Sequence, residues 1–227
     1  MVKSPEKVMI IFAHPDDAEG NCGGTTAKWV SEGKIIHYLV LTNGDKGSDD
    51  PSMTSEKLAE IRGKEQEAAA KVLGVSGITF LGIPDGELEV SLPIRKEITR
   101  LIRLHQPAVV FTHDPWKVYQ VHPDHRAAGF LTLDAVIVAR DRLYYPDQLT
   151  QRLRPCSVKE ICLFGTDYPD FWVDISESIE IKLQAVRCHV SQGLAAEEVQ
   201  KRIRTRALEV GKEKGYLYGE AFKKIVI

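Results

Sequence analysis

The sequence has no excess of charge of either sign: 30 Lys and Arg stand against 32 Asp and Glu, a formal net charge of −2. Without a general basic field, nucleic acid and anionic membranes are not the expected partners. No Cys-x-x-Cys occurs among its four cysteines, Cys22, Cys156, Cys162 and Cys188. They read as reduced, mostly buried thiols of a cytoplasmic protein. Met1-Val2-Lys3-Ser4-Pro5 leads straight into an apolar run too short for a signal-peptide core or a membrane span, so a soluble intracellular chain is expected. Gly-x-Ser-x-Gly and Gly-x-Gly-x-x-Gly are both absent. That removes the serine-nucleophile elbow and the dinucleotide fingerprint. Repeats and low-complexity linkers are missing too, so the 227 residues read as one domain, residues 1–227, long enough for a full core.

What is present begins at Val8. Val8-Met9-Ile10-Ile11-Phe12-Ala13 is an unbroken apolar run, as in a strand buried on both faces. It ends abruptly in His14-Pro15-Asp16-Asp17-Ala18-Glu19. Pro15 cannot donate to a sheet ladder and stiffens the turn where the charges start. In open α/β sheets the ligand site lies outside the carboxyl ends of the strands, where these groups must sit. Two adjacent carboxylates raise each other's pKa, a conflict that a metal resolves.

The complement lies far along the chain. Ala108-Val109-Val110-Phe111-Thr112 reads as another buried strand, and His122-Pro123-Asp124-His125 follows it and opens a helix. Either segment alone is accounted for by a turn with a capping aspartate. Together they supply nitrogen and oxygen ligands of the kind that hold a catalytic zinc with one open position. His113-Asp114 adds another pair at the same edge; it reads as hydrogen-bonded scaffolding rather than a second metal site.

A strand ending in Ala-His-Pro-Asp-Asp-x-Glu with a later His-Pro-Asp-His resembles the PIG-L/LmbE family of zinc-dependent deacetylases, which act mostly on N-acetylglucosamine derivatives. The resemblance implies one zinc ion on His14, Asp17 and His125, with Asp16 as general base. It implies a second catalytic pair, His122 with Asp124, in which the carboxylate orients the imidazole and keeps it protonated for the oxyanion. Further pieces are similar: Gly44-Asp45, where the family often reads Gly-Glu; Gly82-x-Pro84-Asp85-Gly86; and Asp174-Ile175, Lys182 and His189-Val190-Ser191-Gln192. Arg62 is thereby a substrate-binding candidate, its alternative being a surface ion pair with Glu65. Tyr119, close to Trp116, offers a sugar ring a flat apolar face and a hydroxyl, or simply packs its loop. His189 either reaches the cleft or is a satisfied surface histidine.

The expected fold class is α/β, a Rossmann-like, mostly parallel sheet flanked by helices with the metal site at the carboxyl ends of the strands. Gly20 to Gly24 reads as a turn before a helix over Thr25 to Glu32, Ile35 to Thr42 as a strand, and Ser55 to Leu73 as a helix ended by Gly74. Arg140 to Ser157 reads as an irregular excursion, and the C-terminus as a short apolar tail. Three functions fit: a zinc N-deacetylase of an N-acetylglucosamine-type small molecule, a zinc amidohydrolase of a non-sugar acyl amide such as a natural-product intermediate, or a metal- or nucleotide-binding module without hydrolysis. Subunit number is left open, a homo-oligomer included.

Overall fold

Alternate residues of the first strand, β1 (Lys7–Phe12), enter different halves of the core. Val8, Ile10 and Phe12 join one buried cluster, while Met9 and Ile11 join the other. That division needs a strand in the middle of a sheet covered on both sides. The computed structural model describes residues 5–150 and 152–227, so the reading of Met1 to Ser4 lies outside the described residues. In it, β1 pairs in parallel with β2 (Ile35–Thr42) on one side and β4 (Val109–His113) on the other. Beyond these lie β3 (Gly77–Ile83) and β5 (Glu160–Phe164), also parallel. The outer strands β7 (Gly219–Val226) and β6 (Phe171–Asp174) complete the order β3-β2-β1-β4-β5-β7-β6. Strand order reverses between β1 and β4, and such a switch point opens a crevice at the carboxyl ends of the two strands.

Helices α1 (Asp17–Ser31), α2 (Ser55–Leu73) and α6 (Ile179–Arg187) cover one face; α3 (Leu92–His105) and α4 (Pro123–Arg140) cover the other. Burying each Leu, Ile, Val or Phe of these clusters contributes about 1.5–3 kcal/mol. No helix among the described residues is long and apolar enough to cross a membrane.

β2 and α2 have the expected bounds. Thr54 accepts the Lys57 N–H at the start of α2, and Gly74, at φ 75°, closes its end. Three segments differ from expectation. Gly20 to Gly24 is part of α1, which kinks at Cys22 (φ −139°). Past the kink, Glu220 of β7 accepts the N–H groups of Gly24 and Thr25 at 3.0 and 2.7 Å, satisfying donors that the bend frees. A side chain on Gly24 would lie 2.7 Å from Ile175 Cδ1, so glycine permits the close approach. The excursion after α4 contains a short helix, α5 (Pro146–Thr150), and buried Arg103 gathers the carbonyls of Val138, Ala139, Asp141 and Tyr144 beneath it. The apolar tail is β7, inserted antiparallel between β5 and β6 after the last helix, α7 (Glu197–Lys212).

Candidate functional site

β1 delivers His14 to the crevice and α4 delivers His125 across the switch point. Nδ1 of His14 lies 3.2 Å from Nε2 of His125 and 3.4 Å from Oδ2 of Asp17, and His125 Nε2 lies 3.3 Å from Oδ1 of Asp17. Ligand atoms on a tetrahedral zinc with bonds of about 2.0–2.1 Å are separated by about 3.3 Å. The other nitrogen of His14, Nε2, is 3.1 Å from both Asp124 Oδ2 and Asp85 Oδ1. A proton on Nε2 directed at those carboxylates leaves the Nδ1 lone pair facing a second imidazole nitrogen. Two such acceptors meeting beside a carboxylate suit a cation. Burial opposes charge on His14, yet Asp124, Asp17 and Asp85 push its pKa up to about 11, a mark of how strongly the surrounding carboxylates draw positive charge to this ring.

Asp17 itself is held well below the usual carboxylate range. Burial opposes this, but His113, His125 and His14 surround it and outweigh the burial. His113 Nε2 is 3.2 Å from Asp17 Oδ2 and its ring stacks on His125 at 4.2 Å. Asp114 accepts the Trp116 N–H instead, while His113 converges with Asp17 and His125 closely enough that the three could also hold a cation, so the pair does not act as one unit.

Asp16 stands beside the cluster in the left-handed region at φ 111°. Burial, then neighbouring Asp17, raises its pKa to about 7, opposed by the Arg62 guanidinium at 3.1 Å. A carboxyl group poised there has the basicity that proton transfer near neutral pH requires.

Several expected placements differ in the structure. Asp124 does not orient His122; it is buried against His14 and accepts the N–H groups of Gly86 and Leu88. Residues two apart at a helix start project in different directions, so adjacency in sequence does not pair them. His122 stands edge-on to His14 at 4.5 Å and stacks on His125 at 4.7 Å. Burial, then those two imidazoles, lower its pKa, against the opposing pull of Asp124 and Asp85. Arg62 is 3% exposed and donates to Pro15 O, Gly44 O and Asp16, so it holds two loops rather than facing solvent. Gly44, at φ 64°, suits that backbone, and a Cβ there would sit 2.5 Å from the guanidinium and displace it. Its alternative partner Glu65 instead binds Ser191. His189 is not on the surface: it is 0% exposed, with Nε2 3.3 Å from Glu19. Burial favours its neutral form, but the Glu19 carboxylate outweighs this and raises its pKa. Direct contact with substrate is closed to it in this conformation. Tyr119 is 91% exposed at φ 59°, and Trp116 packs edge-on over Phe130 at 5.8 Å.

Sequence reasoning gave no site role to Asp85, Asp45, Gln66 or Glu19. Asp85 reaches His14 from a turn that Asp45 steadies by accepting its N–H. Gln66 follows Arg62 by four residues on α2, a spacing that places both side chains on the same helical face. That periodicity was the available signal.

A cluster of imidazole and carboxylate donors with a further carboxyl beside it defines a candidate metal centre able to activate water. The chain belongs to the PIG-L family, whose pattern, described as GlcNAc-PI de-N-acetylase, matches residues 9–136. It is 39% identical to a diacetylchitobiose deacetylase of Thermococcus kodakarensis over 96% of this chain and 82% of the relative. It is 28% identical to a probable N-acetyl-α-D-glucosaminyl L-malate deacetylase of Bacillus anthracis, covering 84% of this chain and 83% of the other. The structure of N,N′-diacetylchitobiose deacetylase from Pyrococcus horikoshii, in complex with its inhibitor, superposes with a TM-score of 0.92 at 37% identity, covering 98% of this chain and 85% of that one.

Proposed function

We propose that the protein hydrolyses the acetamide of a small N-acetylglucosamine-type substrate, with zinc held by His14, Asp17 and His125. The observation that carries this reading is the convergence of those ligand atoms at 3.2–3.4 Å with Asp16 beside them. Zinc in that position supplies a Lewis acid for the acetyl carbonyl and acidifies water towards a pKa of ~7. Asp16 takes the proton of the attacking water and passes it to the departing amine. His122 donates an N–H to the tetrahedral oxygen. Asp124 acts one step back, fixing the tautomer and orientation of His14.

A cavity of about 660 Å³ opens beside Asp16 and Asp17 and reaches α7, with Asn21, Thr166, Arg202 and Arg206 in its walls. That size suits a sugar with its aglycone. Tyr119, on the loop ahead of His122, is retained as a candidate sugar contact; Arg62 and His189 act from behind the site. We place this single-domain protein in the cytoplasm, in keeping with its free thiols.

The test is acetate release across a panel of N-acetylglucosamine conjugates and non-sugar acetamides, with and without a chelator. Chelator-sensitive release from the sugar conjugates is expected. Release from the non-sugar amides alone would establish the amidohydrolase reading instead, and no release from any member would leave a binding module.

A further inference from the structure

The His-x-Ser-Gln segment and the glutamate that ends the first motif have no part in the chemistry above, yet their side chains meet directly behind the base. Asp16 donates its backbone N–H to Gln66 Oε1 at 2.9 Å. Gln66 Nε2 donates to Glu19 Oε1, also at 2.9 Å. Glu19 Oε2 faces His189 Nε2 at 3.3 Å. Gln66, Glu19 and His189 are all 0% exposed. The next residues of the segment tie down the surroundings: Ser191 binds Glu65 of α2 through its N–H and hydroxyl at 2.7 Å each, and Gln192 donates to Gly47 O at 3.2 Å.

We propose that Gln66 is a positioning residue for Asp16, and that Glu19, backed by His189, fixes Gln66 for that task. The backbone of Asp16, at φ 111° and ψ −23°, lies where a residue with a Cβ is strained. Such a conformation costs on the order of 1–3 kcal/mol and persists only where its surroundings over-determine it. The Gln66 bond supplies part of that restraint, at the Asp16 peptide N–H. A carboxamide has a donor end and an acceptor end, so it restrains Asp16 only in one of its two orientations. The Glu19 carboxylate accepts and cannot donate, so it takes the NH₂ end and turns the oxygen towards Asp16. Buried polar side chains are costly unless satisfied. Gln66 bonds at both ends, to the Asp16 N–H and to Glu19 Oε1, while Glu19 Oε2 faces the His189 imidazole as an ion pair rather than a hydrogen bond. Holding a base to within a fraction of an ångström is worth up to about 10²-fold in rate.

The inference rests on reading Asp16 as the base, and a double-mutant cycle separates the two. Gln66→Met, of similar volume but unable to bond at either end, should keep its zinc content and KM. Its kcat on the most rapidly hydrolysed member of the panel should fall on the order of 10–100-fold. In the Asp16→Asn background the same change should alter kcat less than about threefold, because the group being positioned is already gone. In the metal-free protein, hydrogen exchange of the Asp16 amide should quicken in Gln66→Met while that of Asp17, bonded to His14 O, is unchanged. If the Met variant does not fold, Gln66→Asn keeps a buried carboxamide one methylene too short and should show the same loss. An unchanged kcat per bound zinc, or an equal loss in both backgrounds, overturns the positioning role. A wild-type kcat in Asp16→Asn alone overturns the base assignment instead.

Discussion

Asp124 supports His14 across the switch point: its Oδ2 lies 3.1 Å from His14 Nε2 and leaves Nδ1 of the same ring facing His125. A carboxylate behind a ligating imidazole sets its tautomer and raises its basicity, typically worth 10–100-fold in metal affinity. Asp124→Asn is therefore expected to weaken zinc binding by about that factor in a chelator competition, whereas His125→Ala, which removes a ligand outright, should lose the metal on dialysis. If Asp124→Asn binds zinc normally and only its pH–rate profile moves, the carboxylate serves His122 after all.

Asp16→Asn keeps the shape of the proposed base and removes its basicity. Turnover should drop on the order of 10²–10⁴-fold with metal content unchanged, the range for a positioned general base. Near-normal turnover at full occupancy would assign the proton transfer to another group.

Arg62→Ala should cost both stability and turnover, with little specific change in KM. The substitution strips the partner from Pro15 O, Gly44 O and the Asp16 carboxylate in a buried position. Losing a buried charged partner destabilises by about 3 kcal/mol, or roughly 6–12 °C in a chain of this size. A normal melting temperature with a raised KM would return Arg62 to substrate recognition.

Acid sensitivity should arise at the opposite end of the sheet, away from the metal ligands. His37 stacks on His105 at 3.7 Å, and burial, then His105, lowers its pKa to about 4. Burial lowers His105 as well, helped by Lys7 and Arg100. In the unfolded chain a histidine titrates near ~6.5. Between that value and 4 the unfolded state binds a proton that the folded state refuses, so this contribution is complete above ~6.5 and is lost as pH falls. His37→Gln should flatten the decline of melting temperature between about pH 6.5 and 5. An unaltered slope would show that other groups govern that range.

The meeting of His14, Asp17 and His125 was legible because each half of the cluster is a local pattern. A buried strand that ends in His14-Pro15-Asp16-Asp17, and another leading to His122-Pro123-Asp124-His125, must both discharge their polar groups at the carboxyl edge of a parallel sheet. Caps and hydrophobic period were enough to bound β2 and α2, since Gly74 stops a helix whatever lies around it. Nothing local distinguishes the partner of Asp124, which is decided by how α4 meets β1. Sequence left Arg62 and His189 open between substrate contact and a surface position, and both become buried because Pro15, Gly44 and Glu19 are brought against them by packing. The apolar tail became β7 for the same reason, as a strand needs a neighbouring edge and only the folded sheet supplies β5. Residue type and spacing determined which groups are available. The tertiary structure decided their charge state and partners, because desolvation and hydrogen-bond geometry depend on segments far apart in the chain.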